Sequence, residues 1–456
     1  MTSFLQSLTA FVVALGLLIT FHEFGHFWVA RRFDVKILRF SIGFGKPLWM
    51  RRFGPDASEF VIAALPLGGY VKMLDEREGT VSPAERARAF NNKPIAQRFV
   101  IVAAGPAFNF LFAILAYWFM YMAGVPGLKP VVAAVEPGSI AAQAGLQAGD
   151  RIASIDGRET VTWTSVIDVT IARVLDRSLV TIGVVGSDGA GRNVQVDLSR
   201  VSVDDLAGGM LLRKMGVTPR RPAVPAVVGD VVGGGAAERS GLRRGDRIVA
   251  VGGERVKDWG QWVEIIRGSA GKRLNVELQR GNESFSVVLV PELVVDESGA
   301  AFGRIGASLD PEVAVDRELL ATEHYGIAPA LVRAFDRTAE MAMITLRVLS
   351  KMIVGEASVK NLSGPISIAQ YAGESAGIGL MAFLGFLAIV SVSLGVLNLL
   401  PIPLLDGGHL MYYLIEIVKG SPVSDATQVI GQQLGLAVLL GLMGLAFYND
   451  IIRLIG

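Results

Sequence analysis

Four stretches of the chain, near 4–30, 97–124, 376–402 and 429–448, are long and apolar enough to cross a hydrocarbon core, for which a helix needs about 20 residues. This feature removes most alternatives, because in lipid only helices and closed barrels satisfy their own backbone groups. Composition agrees: 51% of the residues are hydrophobic and only 19% are charged, a balance that leans away from an ordinary soluble protein. At 456 residues the chain exceeds what one hydrophobic core supports, so several folding units are expected. A formal net charge of +1 gives no overall attraction for nucleic acid, and no such partner is expected. With no cysteine, disulfides, thiolate metal sites and cysteine nucleophiles are excluded. The first apolar stretch has no basic segment before it and no small-residue cleavage site after it, so it reads as a retained span and not as a removed signal.

Orientation follows from basic residues beside short loops. They crowd the stretch between the first two spans, from Arg31 and Arg32 through Arg51 and Arg52 to Arg88 and Lys93, which assigns the 33–96 loop to the cytoplasm. Parity then puts 125–375 across the membrane and returns 403–428 to the cytoplasmic side. Within 33–96, the segments 37–42, 60–64 and 69–73 alternate like short strands between Gly and Pro, which predicts a small sheet hugging the membrane.

The far-side region contains a repeat. Gly145-Leu146-Gln147-Ala148-Gly149-Asp150-Arg151-Ile152 recurs as Gly241-Leu242-Arg243-Arg244-Gly245-Asp246-Arg247-Ile248, an offset of 96, and each copy continues into a strand and a tight Gly turn. The pattern resembles the PDZ fold in its circularly permuted bacterial form, over 127–215 and 222–310. The resemblance implies peptide binding by strand addition, whereas the motif by itself builds only a β-rich unit. In the 320–375 linker, apolar runs of 327–358 are interrupted by Arg333, Arg337, Arg347 and Lys351. That pattern suits an amphipathic helix on the lipid surface or one packed on a neighbouring domain.

Chemistry concentrates at the end of the first span. His22-Glu23-Phe24-Gly25-His26 has the form H-E-x-x-H: on a helix, residues four apart share a face, so both imidazoles can grip one ion while Glu23 serves as base toward a water. Zinc suits nitrogen and oxygen donors and lowers the pKa of a bound water to about 7, which points to peptide hydrolysis. Three ionisable groups together in an apolar helix, each costing about 2.5–3.5 kcal/mol on insertion scales, argue against chance. A third protein donor is still needed. Asp406 at the cytoplasmic end of the third span is the preferred candidate, with His409 as the alternative donor and helix capping as the alternative role for Asp406. Just before it, Pro401 and Pro403 forbid regular helix and imply a hydrated pocket. There Asn398 can donate to a substrate carbonyl or its developing oxyanion, or merely satisfy loosened backbone.

These motifs, together with Gly105-Pro106-Ala107-Phe108-Asn109 in the second span, resemble the bacterial site-2 protease family along the whole chain. The resemblance implies an α-helical polytopic membrane protein with four transmembrane helices, a membrane-associated β-loop and two inserted PDZ-like α+β domains. It implies an inner-membrane zinc metalloprotease that cuts transmembrane segments of single-span proteins, namely anti-sigma factors and signal-peptide remnants. The PDZ-like domains would be periplasmic and the zinc site would lie toward the cytoplasm. On this reading His22, His26 and Asp406 match the Zn2+ ligands and Glu23 the catalytic acid/base. Asn398, Pro401 and Pro403 match a motif for substrate handling. Gly43, Phe44 and Gly45 match the β-loop beside the site, which could hold an unwound substrate by strand addition or could be an ordinary tight turn.

Overall fold

The computed structural model describes residues 4–175, 179–201, 210–295, 301–310, 317–359 and 362–455. Among them, four helices are long and apolar enough to span a membrane: α1 (Phe4–Arg32), α2 (Ile95–Ala123), a third over Leu380–Leu399 and a fourth within Asp425–Ile455.

Between α1 and α2 the chain forms two long strands, β1 (Ile37–Phe53) and β2 (Ser58–Met73), each of which bends and pairs twice. Segment 37–42 lies between 59–62 on one side and 69–73 on the other, and 58–63 pairs outward again with 47–53. The three short strands expected from the sequence are therefore parts of one folded-over sheet. Its outer edge exposes Leu48, Trp49, Met50 and Leu65, an apolar tip suited to lipid contact. Its inner face packs Val35, Ile37 and Phe40 against Phe27 and Ala30 of α1 and Ile101 of α2.

Beyond α2, the short strand β3 (Val125–Leu128) leads into two similarly built units. In the first, β4 (Arg151–Ile155), β5 (Arg158–Glu159), helix α3 (Trp163–Leu175), β6 (Leu179–Val185) and β7 (Gly191–Asp197) give the sheet order β5-β4-β6-β7. The second repeats this order with β8 (Arg247–Val251), β9 (Glu254–Arg255), α4 (Trp259–Arg267), β10 (Leu274–Arg280) and β11 (Glu283–Leu289), arranged β9-β8-β10-β11. The repeated motif has a local structural cause. Asp150 accepts a hydrogen bond from the Gln147 amide and pairs with Arg192, and Asp246 does the same with the Arg243 amide and Arg280.

Strand β12 (Leu320–Glu323) pairs with β3 and brings the chain back to the membrane. Helix α5 (Ile327–Ile353) follows; it buries Ala330 and Ala334 against α2 and the third span, while Leu331, Val332 and Phe335 face outward. It touches the first repeat unit as well, through Arg337, whose guanidinium lies 2.8 Å from Asp168 in α3. That contact is of the kind expected for a helix packed on a neighbouring domain.

The expected third span at 376–402 is shorter in the structure, because Gly379 (φ 137°) separates α6 (Pro365–Ile378) from α7 (Leu380–Leu399). Helix α8 (Asp406–Lys419) and the long α9 (Asp425–Ile455) complete the chain. Asp450 of α9 accepts from the amides of Gly364, Ile366 and Ser367 and from the Ser367 hydroxyl, capping α6 from a distant part of the chain.

Candidate metal centre

His22, Glu23 and His26 fall on the C-terminal half of α1, where the four-residue spacing sets both rings on one face. Helix α2 crosses closely there. A Cβ on Gly25 would stand 2.4 Å from the Ala104 carbonyl oxygen, and one on Gly105 would stand 2.2 Å from His26 Nε2. The two glycines let the helices meet with the imidazoles enclosed between them. His26 Nδ1 lies 2.9 Å from the Ile101 carbonyl oxygen, which can only accept, so the proton sits on Nδ1 and the Nε2 lone pair points inward.

The third member of the cluster comes from the other end of the chain. After α7, Leu400–Leu405 forms an irregular turn around Pro401 and Pro403, and Leu404 adopts φ 91°, a conformation that costs a side-chain-bearing residue about 1–3 kcal/mol and clusters at functional sites. That turn delivers Asp406 to the start of α8, with Oδ2 at 3.2 Å from His22 Nε2 and 3.5 Å from His26 Nε2. The two Nε2 atoms are 3.3 Å apart. His22, His26 and Asp406 form a cluster of ligand atoms within 4.8 Å of one another. The buried Asp406 Oδ2 has no hydrogen-bond donor. Three ligand atoms converging on one point fit a cation, and two imidazoles with one carboxylate are a donor set that suits zinc.

The cluster opens into a cavity of about 950 Å³ lined by Glu23, Asn398, Leu404, His409, Tyr413 and the sheet residues Tyr70 to Met73 among others. The structure therefore brings together His22, Glu23, His26, Asp406 and Asn398. His409 lines the same cavity one turn beyond Asp406 but stands outside the ligand cluster, and burial pushes its imidazole below the ordinary range. Pro403 packs beneath Gly431 and Gly435 of α9, while Pro401 is exposed.

Gly43, Phe44 and Gly45 occupy the bend of β1, with Phe44 stacked on Tyr70 at 6.1 Å between centroids. The segment against the cavity is instead 69–73, and among the described residues no strand pairs with its outer edge. Sequence reasoning assigned no role to this edge or to Asn109, whose carboxamide reaches His22 at 3.1 Å. A polar side chain one turn beyond a glycine in an apolar span was the available signal for the second.

A family model described as Peptidase family M50 matches residues 10–442. The chain is 44% identical over 456 residues to the regulator of sigma-E protease RseP of Escherichia coli strain K12, with all of both chains covered. It is 44% identical over 457 residues to a protease named RseP of Yersinia pestis, and 40% identical over 459 residues to a putative zinc metalloprotease of Vibrio cholerae, again with both chains fully covered.

Proposed function

The chain belongs to peptidase family M50 and is a zinc metalloprotease of the membrane, and from that premise we propose that it cuts peptide bonds inside the transmembrane segments of single-span inner-membrane proteins. Anti-sigma factors and signal-peptide remnants are the substrate classes, in keeping with the sigma-E regulation named for its full-length relatives.

The observation that carries this reading is the meeting of His22, His26 and Asp406 at one point inside a membrane-spanning bundle. In this proposal those three residues hold Zn2+, which when bound acidifies a water and polarises the scissile carbonyl. Glu23, on the turn between the two histidines and facing the same cavity, takes the proton of the attacking water and returns it to the leaving amine. Asn398, also on the cavity wall, donates to the carbonyl oxygen as charge develops there.

A substrate helix must unwind first, because its amides are paired internally. In this proposal the turn at Pro401 and Pro403, which leads into the cavity-lining Leu404, and the sheet bend at Gly43, Phe44 and Gly45, where Phe44 stacks on the cavity-lining Tyr70, guide it as it unwinds. The open edge of 69–73 supplies backbone groups for an extended segment. The two repeat units, 127–215 and 222–310, act as periplasmic PDZ-like domains that take extended peptides. A groove of about 460 Å³ in the second, lined by Val232, Trp262, Ile266 and Ile305, supports that role. The basic loop at 33–96 and the exposed outer face of α5 support a zinc site toward the cytoplasm and a helix lying on the periplasmic lipid surface.

The test is Glu23→Gln in proteoliposomes with a single-span reporter. Retained zinc with cleavage reduced at least about 100-fold is expected, in line with the loss of a general base. Unimpaired cleavage would remove Glu23 from the mechanism.

A further inference from the structure

Helix α2 faces the two imidazoles with one stripe of residues four apart: Ile101, Gly105 and Asn109. The helices run antiparallel, so Ile101 meets His26, Asn109 meets His22, and Gly105 leaves the space between them. A Cβ at position 105 would come within 2.5 Å of His26 Cε1 and 2.8 Å of His22 Cε1.

For both Nε2 atoms to offer lone pairs to one metal ion, each ring must carry its proton on Nδ1 and donate it. The Ile101 carbonyl meets that need for His26. At His22 the partner is the fully buried Asn109, whose Nδ2 lies 3.1 Å from His22 Nδ1 while its Oδ1 has no hydrogen-bond partner. The two ends of a carboxamide have nearly the same shape and exchange by a half-turn. That turn puts Oδ1 on the Nδ1–H of His22. The backbone of Asn109 is held independently, since its carbonyl oxygen accepts from the Ser391 hydroxyl of α7 at 2.8 Å.

We propose that Asn109 is the positioning residue of the metal centre: its carboxamide oxygen accepts from His22 Nδ1–H, fixes the tautomer that presents Nε2, and thereby sets zinc affinity. The inference rests on the assignment of His22 as a zinc ligand.

The experiment measures zinc affinity of the full-length purified protein by competition with a chromogenic chelator, alongside thermal unfolding. Asn109→Leu, similar in size but without an acceptor, should bind zinc about 10- to 100-fold more weakly, the usual effect of losing such a partner. Asn109→Asp keeps an acceptor and should hold zinc at least as well as the parent. Ser391→Ala, which removes the backbone contact alone, should leave affinity unchanged. The Co2+-substituted Asn109→Leu protein should also show a shifted ligand-field absorption. Equal weakening in Asn109→Leu and Asn109→Asp would reduce Asn109 to a packing role and overturn the proposal, as would unchanged affinity in Asn109→Leu. His22→Ala separates the two levels: if it keeps zinc, the ligand assignment fails; if it loses zinc while Asn109→Leu keeps it, only this inference fails.

Discussion

Asp406 brings its Oδ2 to 3.2 Å from Nε2 of His22, so a carboxylate at the start of one helix closes a donor set begun inside another. Removing it leaves two imidazoles, too few to hold zinc in a catalytic site. Asp406→Ala should therefore lower zinc affinity by more than the roughly 100-fold typical of a residue that only supports a ligand. Metal analysis after dialysis checks this; stoichiometric zinc in the variant would refute the assignment.

Two glycines give a paired prediction. Gly105→Ala forces a methyl onto the imidazoles, 2.2 Å from His26 Nε2, whereas a Cβ at Gly16 of α1 meets nothing within 4 Å. Gly105→Ala should lose zinc and proteolysis together. Gly16→Ala should retain both and gain up to about 1 kcal/mol of helix stability. Metal content and thermal unfolding of the two proteins distinguish them, and equal behaviour would contradict the packing described.

The Arg337–Asp168 pair joins α5 to the first repeat unit at 2.8 Å, with side chains only 9% and 17% exposed. Arg337→Leu leaves a carboxylate buried without its partner and should cost about 3–5 kcal/mol, while the Arg337→Leu/Asp168→Leu double variant should recover much of that loss. A double-mutant cycle on thermal unfolding reads the difference. Additive losses would show that the pair is uncoupled.

The sheet at 37–73 should weaken in acid. Hydrogen bonds from Arg88 hold the Asp56 carboxyl below its ordinary range, and those from Arg39 and Arg52 do the same for Glu59. A carboxyl depressed in the folded state contributes stability that is complete above its unfolded value and lost as pH falls through the folded one. Protection of the 58–61 amides against hydrogen exchange, corrected for the intrinsic rate, should stay level above about pH 5 and fall below it. Protection that rises on acidification would reverse the sign of the argument.

Much of this molecule is written locally. The four spans are runs of apolar residues, His22 and His26 share a helix face by spacing alone, and the repeat announces itself through Gly149-Asp150 and Gly245-Asp246. What escaped was non-local. The break at Gly379 lies inside an apolar run that hydropathy reads as continuous. The double pairing of β1 and β2 depends on bends at Gly43 and Gly45 that strand alternation does not encode. The partners of Asp450 and Asn109 lie on other helices altogether, whereas Asp406, already preferred over His409 from the sequence, does lie in the ligand cluster. Such contacts follow from how helices pack, which no window of sequence contains.

The two halves of the donor set are made at opposite ends of synthesis. A nascent chain that has inserted α1 and α2 already carries both imidazoles, yet Asp406 emerges only after the repeat units and α7 have been translated. On the proposed ligand assignment, the ribosome-bound protein lacks until then the carboxylate that completes the cluster. The same assignment makes hydrolytic power wait on translation of the bundle that confines it.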